Sequence, residues 1–159
     1  MLNKNIQQWL DAYGVSHQNA TNKAIHWLCV PVILWTVLAL LWGVQIPAQP
    51  LLNGATLLMA ISLVFYWRLS PQLAIGMVFV AAFNWWLIDL HLTSLSWPLW
   101  QTALALFVLA WIGQFIGHII EGAKPSFFED MQFLLIGPIW LLSFVYDKVG
   151  VNYQNKATE

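Results

Sequence analysis

Charge is what this sequence has least of. Aspartate, glutamate, lysine and arginine together make 8% of its 159 residues, against about a quarter in an ordinary soluble domain. No water-facing surface of normal composition can be built from it. Cysteine is nearly absent too: Cys29 stands alone, which excludes an intrachain disulfide. There is no basic cluster and the formal net charge is −1, so nucleic acid is not an expected partner. No internal repeat or pair of broken helices marks a transporter. The first twenty residues, among them Asn3, Lys4, Gln7, Gln8 and Asp11, lack the apolar core of a secretory signal.

What is present is apolar and comes in long runs. Hydrophobic residues make 60% of the chain, with a mean hydropathy of +0.67. No charge interrupts the eighteen residues from Trp27 to Val44 or the twenty from Leu69 to Ile88, and the run from Leu90 to Ile120 is longer still. A helix crosses the hydrocarbon with about 20 apolar residues. The sequence therefore predicts an all-α fold, a polytopic transmembrane helical bundle of four or five spans forming one integral membrane domain over residues 1–159. The spans are expected near 25–44, 51–68, 72–90, 99–119 and 127–146. Thr21 or Asn22 is a candidate cap for the first, Ser70 with Pro71 opens the third, and Ser126 with Glu129 has capping-box spacing before the fifth. Gly137 and Pro138 predict a kink or a re-entrant path in the fifth. Ahead of the spans, Ile6, Trp9, Leu10 and Tyr13 share one helical face, so residues 1–23 are expected to form an interfacial segment with an amphipathic helix.

With five spans, Lys4, Lys23, Arg68 and Lys124 fall on one side of the membrane and Lys148 and Lys156 on the other. That distribution favours a cytoplasmic N-terminus, in the inner membrane of a bacterium or the endoplasmic reticulum of a eukaryote. Among the eleven tryptophans, Trp27, Trp42, Trp67, Trp97 and Trp100 fall near span ends, where indole rings anchor at the interface. Trp85, Trp86 and Trp111 lie deeper and fit either core packing or the wall of a lipid-chain cavity. Asn84 reads as an interhelical hydrogen-bond partner.

The polar residues that survive in so apolar a chain carry the functional information. His17 precedes the first span, His26 lies in its opening turns and His118 ends the fourth. In an up-and-down bundle the start of the first helix and the end of the fourth share a membrane face, so these three can converge. His91 and Asp89, at the end of the third span, fall on the opposite face. Gln114, His118 and Glu121 lie on one helical stripe, and Gly113 with Gly117 makes a small-xxx-small surface for close helix contact. Glu129 and Asp130 open the fifth segment at the histidine face, and Lys124 is the nearby cation that could hold a carboxylate head group. Imidazole is the commonest ligand for a borderline transition metal, so three histidines with a carboxylate such as Glu121 would make an iron site. Two other readings stay open at this point. His26 and His118 could be axial ligands of a b-type haem in an electron-transfer protein, or the histidines could be hydrogen-bonded parts of a membrane protein without chemistry.

The segment His17-Gln-Asn-Ala-Thr-Asn22-Lys-Ala-Ile-His26 followed by Val30-Pro31, and the later Trp111-Ile-Gly-Gln-Phe-Ile-Gly-His118-Ile-Ile-Glu121-Gly-Ala-Lys-Pro125, resemble the 2-hydroxy fatty acid dioxygenase family. Its members are small membrane proteins that shorten the 2-hydroxy acids arising in phytosphingosine breakdown. The resemblance runs from Tyr13 to about Val145. It implies an iron(II)-dependent α-oxidation in which a 2-hydroxy fatty acid and molecular oxygen give a fatty acid one carbon shorter. It also implies His17, His26 and His118 as iron ligands, with Asn22, Glu121 and Asp130 at further motif positions as candidate catalytic residues. His91 is a candidate fourth ligand, but Leu90 separates it from Asp89 where family members can carry a histidine next to the aspartate. Gln18 stands where a second histidine is common, and Ala123-Lys124 where the family has a basic pair.

Overall fold

A computed structural model describes residues 4–45, 49, 52–125 and 132–154. Among these residues the chain forms α1 (Ile6–Gly14), α2 (Ala20–Trp42), α3 (Gly54–Leu69), α4 (Pro71–Ser94), α5 (Leu99–Glu121) and α6 (Phe133–Val149). Helices α2, α4 and α5 are long and apolar enough to cross a membrane, and α3 is a shorter apolar helix. Leu28, Ile61, Phe79, Leu109, Ile112 and Ile119 all point outward and stay exposed. Such an apolar exterior is stable only against lipid, and the chain is a polytopic membrane protein.

The helices begin where short polar side chains can take up orphan backbone donors. Asn5 and Gln8 bond each other's backbone N–H at 2.9 Å at the start of α1, and Asn53 with Thr56 does the same for α3. Ser70 caps α4 with Pro71 as its first residue, as the sequence predicts. At α2 the cap is Asn19, whose side chain accepts from the N–H of Thr21 at 2.8 Å and of Asn22. Neither Thr21 nor Asn22 takes that role. The break between helices falls at residues 15–19, so Asn22 sits inside the first turn and its amide is free for another task. The capping box expected from Ser126 and Glu129 lies outside the described residues.

Helices α2 and α5 make the most extensive helix pair, and two glycines explain how closely they approach. A Cβ at Gly113 would stand 2.7 Å from the Cys29 sulfur, and one at Gly117 would collide with Asn22 Oδ1. Gly117→Ala is accordingly expected to destabilise the protein by about 1–3 kcal/mol, the usual cost of overpacking. Gly43→Ala, whose nearest neighbour would be an ordinary 3.8 Å away, should leave thermal unfolding in detergent nearly unchanged. Equal melting of the two variants would contradict this account of the α2–α5 contact.

Helix α6 takes a path that its composition does not disclose. Near its start, the Tyr66 hydroxyl at the end of α3 donates to the Leu135 carbonyl at 2.9 Å. Near its end, the Tyr146 hydroxyl donates to the Gln72 carbonyl at the start of α4, also at 2.9 Å. Residues 66 and 72 flank the tight α3–α4 turn, so both ends of α6 are held at one end of the bundle. The helix lies across that end, helical on both sides of Pro138. Helix α1 packs on it through Trp9 and Tyr13 against Phe133 and Trp140. The chain then returns to the same turn, where Ser70 Oγ donates to the Tyr153 carbonyl at 2.7 Å.

Candidate metal centre

Beneath the layer formed by α1 and α6, three buried imidazoles meet. His17 comes from the α1–α2 connection, His26 from the second turn of α2 and His118 from the last turn of α5. Their ring centroids are 4.3 Å apart for His17 and His26, and 5.0 Å for each of the pairs with His118. One nitrogen from each falls within 4.8 Å of the others. The convergence anticipated from an up-and-down bundle is therefore observed.

Neighbouring backbone fixes how two of the rings face. His17 Nδ1 lies 2.6 Å from the Tyr13 carbonyl and His26 Nδ1 lies 3.0 Å from the Asn22 carbonyl. A carbonyl only accepts, so Nδ1 carries the proton in both rings and each Nε2 keeps its lone pair, the usual preparation of a metal-binding histidine. Tyr13 also stacks on His17, with centroids 4.2 Å apart and planes 11° from parallel. Trp140 packs against the same ring at 5.2 Å. Burial pulls the His17 imidazole down from its usual value to about 4, against the opposing effect of the Tyr13 carbonyl bond. The ring is thus neutral at pH 7, the form that coordinates.

Two buried nitrogens of the cluster, His17 Nε2 and His118 Nδ1, have no hydrogen-bond partner among the described residues. Buried polar atoms nearly always have one, and a metal ion among the three rings would supply it. Three neutral imidazoles form a donor set suited to a borderline transition metal such as iron or zinc.

Glu121 does not join them. Its Oε1 accepts from the Gln18 N–H at 2.7 Å, and its Oε2 accepts from the Asn19 N–H at 2.8 Å and from Asn22 Nδ2 at 3.0 Å. With both oxygens committed, the carboxylate acts as a clasp. It grips the connection on the C-terminal side of His17 and sits one turn beyond His118 on α5. Through Asn22, whose own carbonyl orients His26, it reaches the third imidazole as well. Asn22 is fully buried, and its Nδ2 also donates to the Ser16 carbonyl at 3.1 Å. The geometry thus sets Glu121 and Asn22, which the sequence offers as catalytic candidates, in supporting positions.

The remaining candidates are dispersed. His91 is buried at the other end of the bundle, 2.9 Å from the Thr102 hydroxyl through Nε2 and beside Trp35, and is not part of the cluster. Lys124 is exposed beyond the end of α5, away from the buried rings. Asp130 lies outside the described residues, as does Glu129. Asn84 donates to the Val80 carbonyl of its own helix at 2.7 Å, where an interhelical partner was expected. Trp111 faces inward, while Trp85 and Trp86 are exposed on the outer surface.

A cavity of about 360 Å³ opens from the three histidines into the bundle. It runs along α2 past Val30, Leu34 and Leu38, along α3 past Tyr66, Ser62 and Leu58, and along α5 past Gln114, Trp111 and Phe107. None of its described lining residues is charged. Gln114, one turn before His118 on the cavity wall, is buried to 6% exposure. Sequence reasoning put Gln114 on the right stripe but missed Tyr13 and Trp140 as the supports of His17. Tyr13 was detectable in principle, since it lies four residues before His17 and so one helical turn away.

A trio of buried imidazoles at the mouth of an apolar cavity defines a class: an integral membrane protein in which three histidines could hold a metal ion beside an apolar space. Comparison with known proteins goes further. Residues 3–149 match the family described as Mpo1-like, 2-hydroxy-palmitic acid dioxygenase, and the chain belongs to it. The 2-hydroxy-palmitic acid dioxygenase MPO1 of Saccharomyces cerevisiae is 29% identical over 155 residues, covering 96% of this chain and 86% of the yeast protein. No solved structure matches the chain.

Proposed function

We propose that this protein is an iron(II)-dependent dioxygenase that shortens long-chain 2-hydroxy fatty acids by one carbon, using molecular oxygen. The observation that carries the reading is an uncharged, apolar cavity whose mouth is three neutral imidazoles. A carboxylate entering such a space is strongly disfavoured unless a positive charge meets it, and none of the described residues lining the cavity supplies one. Iron(II) held by His17, His26 and His118 would, when bound, supply that charge together with the electrons that activate oxygen. The protein's own residues do the rest. Asn22 and the Tyr13 carbonyl orient the imidazoles, Glu121 holds the His17 connection against α5, and Tyr13 with Trp140 shields the centre from water. Gln114, whose amide lies on the cavity wall one turn from His118, would hydrogen-bond the 2-hydroxyl or the carboxylate of the acid.

From His26 to Leu38 the cavity follows α2 for twelve residues, about 18 Å at 1.5 Å per residue. An extended alkyl chain with C–C bonds of about 1.5 Å at tetrahedral angles advances about 1.25 Å per carbon, so about fourteen carbons fit below the head group. A 2-hydroxy acid of about sixteen carbons matches that length, in agreement with the 2-hydroxy-palmitic acid named for the yeast relative. A haem is less compatible with this site, because a porphyrin plane between any two of the clustered rings would displace the third.

The cluster end of the bundle faces the cytoplasm in this proposal. Lys4, Lys23, Arg68, Lys124 and Lys148 all lie at that end, since α6 returns there, and the connections 43–53 and 95–98 at the opposite end hold no basic residue.

Protein purified without oxygen is expected to carry about one iron per chain without a Soret band. In air it should convert 2-hydroxypalmitate to the fifteen-carbon acid, read by mass spectrometry. Gln114→Leu should retain iron and lose about tenfold in kcat/KM, about 1.4 kcal/mol for one hydrogen bond to the substrate. A Soret band, or an unshortened product, would overturn the assignment.

A further inference from the structure

The cavity has a floor, and the residues that build it point to how the protein selects chain length. Beyond Leu38 and Leu58 the same helices close into a packed cluster of Ala39, Ala55, Ile88 and Ala103, none of which lines the cavity. An acyl chain that enters from the histidines therefore meets a wall. Side chains packed near crystal density do not yield to an extra methylene without strain, so a chain longer than the cavity has to bend, or to leave its head group short of the centre.

We propose that α3 is the chain-length gauge of this site, with Leu58 forming the floor and Ser62 the gap one turn above it. This deepens the functional reading given above and rests on it. Ser62 is 5% exposed and lines the cavity. Among the described residues its hydroxyl donates only to the Leu58 carbonyl of its own helix, at 2.8 Å, so no other described helix depends on it for a hydrogen bond. Its small side chain leaves the cavity continuous at the level where a larger residue would close it. Leu58 is half-buried and packs against the cluster below, so trimming it deepens the cavity without emptying the core.

The one-turn offset sets the size of the effect. Four residues along a helix correspond to about 6 Å, which at the pitch of an extended alkyl chain is four or five carbons. Ser62→Leu is expected to move the preferred 2-hydroxy acid about four carbons shorter, and Leu58→Ala about two carbons longer. Two measurements test this on the full-length protein in lipid nanodiscs. The first is the product profile from an equimolar mixture of 2-hydroxy acids of ten to twenty carbons. The second is retention of unsubstituted saturated fatty acids of ten to eighteen carbons, read by native mass spectrometry and independent of turnover. Opposite shifts of the two variants in both measurements are the expected result. Wild-type profiles from both variants in both measurements would overturn the gauge and leave the dioxygenase reading standing. If the wild-type protein converts no 2-hydroxy acid but the binding profiles still shift in opposite directions, the gauge stands and the reaction assignment falls. If Ser62→Leu does not fold, Leu58→Ala alone decides, and an unshifted profile from it refutes the proposal.

Discussion

His118→Ala is expected to strip the protein of its metal and its turnover while leaving the fold in place. A side chain that merely supports a metal ligand is typically worth 10- to 100-fold in metal affinity, so loss of a ligand itself should weaken binding by more than about a hundredfold. The metal-free protein tells the complementary half. His118 Nδ1 is buried without a partner among the described residues, and an unsatisfied buried polar atom costs about 1–3 kcal/mol. Alanine removes that cost while leaving a small void. Thermal unfolding of metal-free His118→Ala should therefore lie close to that of metal-free wild type, whereas added iron should stabilise the wild type alone. Retention of stoichiometric iron and of product formation by the variant would refute the centre as drawn.

The second large effect is expected at Glu121, and it separates a clasp from a ligand. Glu121→Ala leaves the Gln18 and Asn19 N–H groups and the Asn22 amide without their acceptor. Water can reach part of this half-exposed site, so the loss in stability should be about 2 kcal/mol, below the sum of three charge-assisted bonds. The larger consequence falls on His17, whose connection is no longer held to α5: iron affinity should drop about 10- to 100-fold. Glu121→Gln keeps one carbonyl oxygen for the backbone donors and should recover most of the affinity. A direct iron ligand would behave differently, because the amide would then be as damaging as alanine. Metal titrations of the two variants at matched stability distinguish these outcomes.

How much of this was legible beforehand depended on the distance over which each feature is determined. The helices were readable because length and apolar content decide them locally. The meeting of His17, His26 and His118 was readable because short connections force neighbouring helices antiparallel, which brings the start of α2 to the end of α5. The Gly113 and Gly117 surface followed from spacing alone. The role of Glu121 was hidden, since it depends on the path of residues 15–19, where the backbone turns its N–H groups toward α5. The path of α6 was hidden for a related reason. Its residues are as apolar as those of a crossing helix, and what turns it aside is a pair of tyrosines, Tyr66 and Tyr146, whose partners lie 69 and 74 residues away in sequence. Asn84 misled because a buried amide can bond its own helix as readily as a neighbouring one.

The recumbent α6 also bears on how the chain is made. A helix that rests across one end of the bundle need not be threaded through the membrane by the insertion machinery. With the cluster end cytoplasmic, as proposed above, only the connections 43–53 and 95–98 are carried fully across once α2 to α5 are in place, and neither contains a charged residue. Apart from Asp89, near the far end of α4, translocation therefore drags no acidic, lysine or arginine side chain through hydrocarbon. The amphipathic α1 and the apolar α6 can settle onto the finished bundle afterwards, so that the walls of the cavity stand before its histidine end is roofed.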